Sequence, residues 1–174
     1  YLTIDYNIQF EAESLLKEAQ KNLSIDSGQI LVIKPDTGRV LAIAGFPSFD
    51  PNYYSKEKNL DIFQNSAIQK IFEPGSIMKP FTISMGINEG KITPDTTYVD
   101  AGFVKVGLAT IYNFDRKKWG EQTMAGVLEK SINTGAIFVS QLISRQTFLN
   151  YLDKFGFSEK TDIELQGEVS FKNN

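Results

Sequence analysis

The sequence contains neither cysteine nor histidine. That excludes zinc sites built on thiolate or imidazole and removes Ser-His-Asp and Cys-His catalytic groups. A nucleophile in this chain must take its base from Lys, Asp, Glu or Tyr. The missing cysteine sets no compartment, because it fits an exported domain and a cytosolic protein alike. No apolar run reaches the roughly 18 residues that a membrane-spanning helix needs, and no signal-peptide pattern is present. The chain opens at Tyr1 without Met and runs straight into patterned sequence. It is therefore expected to be a piece of something longer, with any anchor upstream. Charge of neither sign dominates, with 18 Lys and Arg against 21 Asp and Glu and a net charge of −3. Lys56, Lys58 and Lys70 are scattered, and Lys91, Arg116, Lys117 and Lys118 fall in turn-rich stretches. No basic face forms, which argues against nucleic acid as a partner.

What is present suits one globular domain with a real core: 174 residues, 41% hydrophobic and 22% charged. Asp5 is positioned as an N-cap. After it Ile8, Ala12, Leu15, Leu16, Ala19 and Leu23 share a helical face, predicting a helix from Tyr6 to Leu23. Gln29–Lys34 and Arg39–Ala44 are Val/Ile-rich runs joined by Pro35-Asp-Thr-Gly38, the pattern of a hairpin. Both runs are apolar on both faces, so cover is expected on both sides of the sheet, partly from the first helix. Phe46 to Asn59 reads as a loop. Pro74-Gly75 breaks the chain before a helix over 76–88 that is apolar almost all round, expected in the middle of the domain and stopped by Gly90. Residues 91–122 read as irregular with a short hairpin in 104–114. Helical patterns follow over 123–130, 135–144 and 146–155, and the tail over 161–174 reads as adding a short strand. The predicted class is α+β: helix and first hairpin in 1–45, then a mostly helical part in 46–174.

Ser-x-x-Lys spacing puts a hydroxyl and an amine on one helical face. A lysine that loses its proton in a partly desolvated place can deprotonate a serine, giving nucleophile and base without histidine. The spacing occurs at Ser14/Lys17, Ser55/Lys58 and Ser76/Lys79. Only the third opens a helix after Pro-Gly, where unpaired backbone N–H groups and the positive helix end can stabilise an oxyanion. Pro80 cannot donate the helical hydrogen bond to the Ser76 carbonyl, a local irregularity beside a reactive pair. The plainer alternative is a serine that merely caps a core helix. Ser131-Ile-Asn133 is the one Ser-x-Asn in the chain. Ser131 can relay a proton and Asn133 offers a donor and an acceptor to a substrate amide. Taken alone, the triplet is also a capping turn.

These residues resemble a known family. Phe72-Glu-Pro-Gly-Ser-Ile-Met-Lys-Pro-Phe-Thr82 resembles the active-serine motif of penicillin-binding proteins, and Ser131-Ile-Asn-Thr-Gly135 their second motif. Leu2-Thr-Ile-Asp5 with Ile8-Gln9 resembles the entry to the transpeptidase domain, and Asp36-Thr-Gly38 with Leu41-Ala-Ile-Ala44 its first hairpin. Phe46-Pro-Ser-Phe-Asp-Pro-Asn52 resembles the loop of the high-molecular-weight class B, monofunctional members. Phe155-Gly-Phe157 with Thr161 and Glu168 resembles the end of the helical half. The resemblance implies a β-lactamase/transpeptidase-like fold and acyl transfer at D-alanyl-D-alanine stem peptides. Ser76 would be the nucleophile, Lys79 the base, Ser131 the proton relay and Asn133 the substrate contact, with no metal and no cofactor. It implies covalent capture of β-lactams, cell-wall synthesis partners, and an anchored place on the extracytoplasmic face of the bacterial inner membrane, in cell shape or division.

The family's third motif, Lys-Thr-Gly or a variant, is absent from the sequence. In the family that strand docks the peptide and supplies half of the oxyanion hole. The chain is therefore expected to be an N-terminal part of the domain, weakly active or inactive alone, with the remainder as its partner. Other readings are a non-catalytic β-lactam sensor or scaffold of the same fold, a D,D-carboxypeptidase, and a soluble α+β domain with a capped core helix.

Overall fold

The Asp5 carboxylate accepts the backbone N–H of Asn7 and of Ile8, and α1 (Tyr6–Leu23) starts there, as the sequence pattern predicts. The structure, a computed structural model, describes residues 2–170. Helix α1 lies on a two-stranded antiparallel hairpin, β1 (Gly28–Lys34) and β2 (Arg39–Phe46). Ala12 and Leu16 pack with Ala42 and Ala44, flanked by Ile8, Ile30 and Val32. Fully burying one side chain of leucine size stabilises by about 1.5–3 kcal/mol. The hairpin register slips between Val32 and Ile33, where Val32 faces Ala42 and Ile33 faces Val40. The Leu41 carbonyl left between them accepts the Asp5 N–H, and the Gln9 amide exchanges two hydrogen bonds with the Ile43 backbone. The N-terminal segment thus satisfies the outer edge of β2.

Apolar cover in this unit is incomplete in two places. Leu15 and Leu23 are exposed, because a two-stranded sheet is too narrow to cover the full apolar stripe of an 18-residue helix. Leu31 and Ile33, which alternate with the inward residues of β1, are exposed, so the second face of the hairpin is covered less fully than the face under α1. After β2 come two 3₁₀ turns (Pro51–Lys56 and Leu60–Phe63) and a single helical turn, α2 (Ser66–Gln69), so the loop is more ordered than its composition suggests. This unit runs through Ile71 and takes in Asp162–Val169. The tail adds no strand within 161–170, although the Val169 N–H bonds the Ile68 carbonyl. The rest of the expected strand lies outside the described residues.

The second unit covers Phe72–Thr161. Its central helix, α3 (Lys79–Asn88), is followed by β3 (Thr97–Asp100), the hairpin β4 (Phe103–Val106) and β5 (Ala109–Tyr112), and β6 (Gly120–Thr123). Then come α4 (Met124–Glu129), α5 (Asn133–Leu142) and α6 (Arg145–Lys154). The core joins Ile83 and Met85 of α3, Ile92, Met124 and Val127 of α4, Ile132, Val139 of α5 and Ile143. The hairpin and the three later helices agree with the sequence reading. The antiparallel pair β3–β6 is new, because its four-residue strands are far apart in sequence and Gly-Glu-Gln-Thr shows no alternation of apolar residues. The serine-bearing helix also differs. Its first turn, Gly75–Met78, is 3₁₀ and the α-helix begins at Lys79. It is not buried all round, since Ile77 and Ile87 face solvent.

Candidate active site

Gly75 has φ +63, a backbone state that disfavours any residue with a Cβ, and it turns the chain into the 3₁₀ turn that carries Ser76. The Lys79 N–H closes that turn on the Ser76 carbonyl. This resolves the irregularity at Pro80: the carbonyl that Pro80 cannot serve is taken three residues on, and Pro80 falls in the first turn of α3 where no donor is needed. Ser76 is exposed and Lys79 is buried beneath it, with 7% of its surface accessible.

The second element arrives through α4. After Lys130 the chain reverses at Ser131, whose φ of 52 is left-handed, and α5 begins at Asn133. Such a conformation in a residue other than glycine costs on the order of 1–3 kcal/mol and persists only where surroundings hold it. Here the Ser131 N–H bonds the Leu128 carbonyl, and the Ser131 carbonyl accepts from Lys79.

Lys79 Nζ therefore gathers the other three residues singled out by sequence. It lies 3.2 Å from Ser76 Oγ, 2.9 Å from Ser131 Oγ and 2.7 Å from Asn133 Oδ1, and it also donates to the Ser131 carbonyl. All four oxygens are neutral, and burial holds the Lys79 ammonium below the usual lysine range. Three N–H protons face four acceptors, and Ser76 makes the longest contact. The other Ser-x-x-Lys pairs form nothing comparable: Ser14 donates to the Phe10 carbonyl and Lys17 is exposed, while Ser55 and Lys58 are both exposed.

Asn133 is anchored on its other side as well, its Nδ2 donating to the Tyr112 carbonyl at 2.9 Å. One N–H and one lone pair of the amide remain for a ligand. Behind it stands a cluster that the sequence reading missed. Asp100 is fully buried, and its carboxylate accepts from Gly102 N, Trp119 N, Asn113 Nδ2 and Thr134 Oγ1. Burial pushes this carboxyl up, but the hydrogen bonds from Thr134, Gly102, Trp119 and Asn113 outweigh it and hold the group below its ordinary value. Burial also pushes the Tyr98 phenol up, opposed by its hydrogen bond to Thr134 and reinforced by the Asp100 charge. The signal in the sequence was Asp100-Ala-Gly102, an Asp that bonds the backbone two residues on. Its burial had no local sign. Among the described residues no group of three or more Asp or Glu is placed to hold a metal ion.

Comparison with known proteins follows the same lines. The family model for the penicillin binding protein transpeptidase domain matches residues 28–173. The chain is 32% identical over 168 residues to the probable peptidoglycan D,D-transpeptidase PbpC of Pseudomonas aeruginosa, covering 96% of this chain and 29% of that protein. It is 29% identical over 168 residues to stage V sporulation protein D of Bacillus subtilis, covering 96% of this chain and 26% of that protein. Among solved structures, a peptidoglycan glycosyltransferase from Burkholderia ambifaria superposes with a TM-score of 0.83 at 28% identity, covering 98% of this chain and 49% of that one. The TP domain of Burkholderia pseudomallei penicillin-binding protein 3 superposes with a TM-score of 0.81 at 28% identity, covering 97% and 46%. The chain thus spans under a third of the length of these curated relatives and about half of these solved chains.

Proposed function

The chain belongs to the family of penicillin-binding protein transpeptidase domains, and from that membership we propose that it supplies the nucleophile and base of a peptidoglycan D,D-transpeptidase. One observation carries the reading: the buried Lys79 amine bonds Ser76, Ser131 and Asn133 together. Lys79 is the titratable side chain that bonds Ser76, and desolvation moves its amine toward the neutral form.

In this reading neutral Lys79 takes the hydroxyl proton of Ser76 as Oγ attacks the penultimate D-alanine carbonyl of a stem peptide. The C–N bond to the terminal D-alanine breaks. The leaving amine receives its proton from Lys79 through the Ser131 hydroxyl, which lies 2.9 Å from Nζ. Asn133 uses its remaining N–H and lone pair on a backbone amide of the substrate. An acceptor amine from a neighbouring peptide then attacks the ester, and Ser76 regains its proton. A penicillin enters the same first step, in which opening of its lactam leaves the drug esterified to Ser76. The place of action is the extracytoplasmic face of the bacterial inner membrane, with cell-wall synthesis proteins as partners.

The sequence holds no Lys-Thr-Gly triplet, and the 174 residues alone are expected to react slowly. The test is the intact mass of the gene's full-length product after incubation with a penicillin, beside Ser76→Ala. The expected result is a gain of one drug molecule that the variant lacks. An unchanged mass, or a variant that reacts equally, overturns the assignment of Ser76.

A further inference from the structure

Among the described residues, two charged side chains are buried: Lys79, already placed in the site, and Asp100. A buried carboxylate is unfavourable unless donors surround it, and Asp100 has four. They come from four separate segments: Gly102 in the turn after β3, Asn113 after β5, Trp119 before β6 and Thr134 in the first turn of α5. The last is the informative one. Thr134 follows Asn133 directly and is itself held three ways. Its hydroxyl donates to Asp100 Oδ1 at 2.6 Å and lies 3.1 Å from the Tyr98 hydroxyl, and its backbone N–H donates to Asn113 Oδ1 at 3.1 Å. Asn113 is turned for that task by Asp100, since Asn113 Nδ2 donates to Asp100 Oδ2 at 2.9 Å. The residue before it, Tyr112, offers the carbonyl that fixes Asn133 Nδ2. One carboxylate therefore fixes both the peptide that carries Asn133 and the strand end that Asn133 grips.

We propose that Asp100 is a positioning residue for acylation: through Thr134 and Asn113 it sets the pose of Asn133, and with it one of the acceptors that aim the Lys79 amine at Ser76. The inference rests on the acyl-serine reading above. Asp100 itself touches neither Ser76 nor Lys79, and its effect passes through the start of α5. A site of this kind loses rate when an acceptor moves by a fraction of an ångström, because base and nucleophile leave their reactive geometry. A plain structural anchor lowers the fraction of folded protein without changing how fast each folded molecule reacts.

The experiment separates these in the gene's full-length product, with a fluorescent penicillin as probe. Both the amplitude and the first-order rate constant of labelling are read for wild type, Thr134→Val, Thr134→Ser and Asp100→Asn. Thr134→Val keeps the side-chain shape and removes only the hydroxyl. The expected result is a rate constant lower by about tenfold to a hundredfold in Thr134→Val and Asp100→Asn, with Thr134→Ser restoring most of it. An unchanged rate constant with reduced amplitude in both slow candidates overturns the positioning role and leaves the acyl-serine reading standing. A wild type that takes no label overturns both.

Discussion

Lys79 Nζ reaches two oxygens of Ser131, the hydroxyl at 2.9 Å and the carbonyl, because Ser131 adopts a left-handed backbone conformation that turns both toward α3. One amine thus links segments 52 residues apart and holds the strained turn in place. The site and the local fold share these contacts, so substitutions can be sorted by which they disturb.

Lys79→Ala removes the proposed base and the donor to the Ser131 and Asn133 oxygens. Penicillin labelling of the full-length product is expected to fall by roughly 10²–10⁴-fold, while the far-ultraviolet circular dichroism stays that of the parent. Labelling at the parent rate removes Lys79 from the role of base.

The acylation rate is expected to rise with pH along a limb whose apparent pKa lies below the ordinary lysine value of 10.5, since burial favours the neutral amine. A labelling rate that stays flat or falls from about pH 6 to about pH 10 contradicts a lysine base.

Stability follows the two buried groups in the same direction but in separate pH windows. The folded value of Lys79 is depressed, so its contribution is complete above 10.5 and is lost as pH falls through the lower folded value. The Asp100 carboxyl is also held low, so its contribution is complete above 3.8 and is lost as pH falls through its folded value. Thermal melts below pH 3.8 are expected to drop more steeply for the parent than for Asp100→Asn. Parallel curves argue against an ionised Asp100 network.

Gly135 sits where an added Cβ overlaps a Val127 methyl and meets the Tyr98 hydroxyl at 2.9 Å. Gly135→Ala is expected to cost about 1–3 kcal/mol by overpacking and to slow acylation, because it pushes on the first turn of α5. At Gly86 an added Cβ meets Val139 at 2.6 Å and Ile92 at 2.9 Å, on the core side of α3. Gly86→Ala is expected to cost a similar amount of stability with a smaller effect on the labelling rate. Melts paired with labelling kinetics distinguish the two.

Asp5→Ala removes the N-cap of α1 and is expected to lower stability by about 1 kcal/mol, with Asp5→Asn close to neutral. The labelling rate constant should stay at the parent value in both, since among the described residues the hydrogen bonds of Asp5 lie within the first unit. A slowed rate constant in Asp5→Asn contradicts this separation.

Much of this was legible from residue order. Asp5, the period of α1 and the turn at Pro35–Gly38 all act within a few residues, and each element formed as read. Ser76 and Lys79 were legible for the same reason, being one turn apart. The failures concern the cover of surfaces and the pairing of short, distant elements. Leu23, Leu31 and Ile77 look like core by type, but whether an apolar residue is covered depends on what packs opposite it. The pair β3–β6 escaped because register between distant short strands carries no local period.

The sequence by itself determined the pairing of Ser76 with Lys79. Three residues of helix put a hydroxyl and an amine together whatever surrounds them, and the absence of histidine and cysteine leaves Lys, Asp, Glu or Tyr to serve as base. Only the tertiary structure decided that Lys79 is buried, that Ser131 and Asn133 come to it across 52 and 54 residues, and that Asp100 stands behind them with four donors. Desolvation and convergent hydrogen bonds belong to packing between segments. They have no image in the order of residues along one of them.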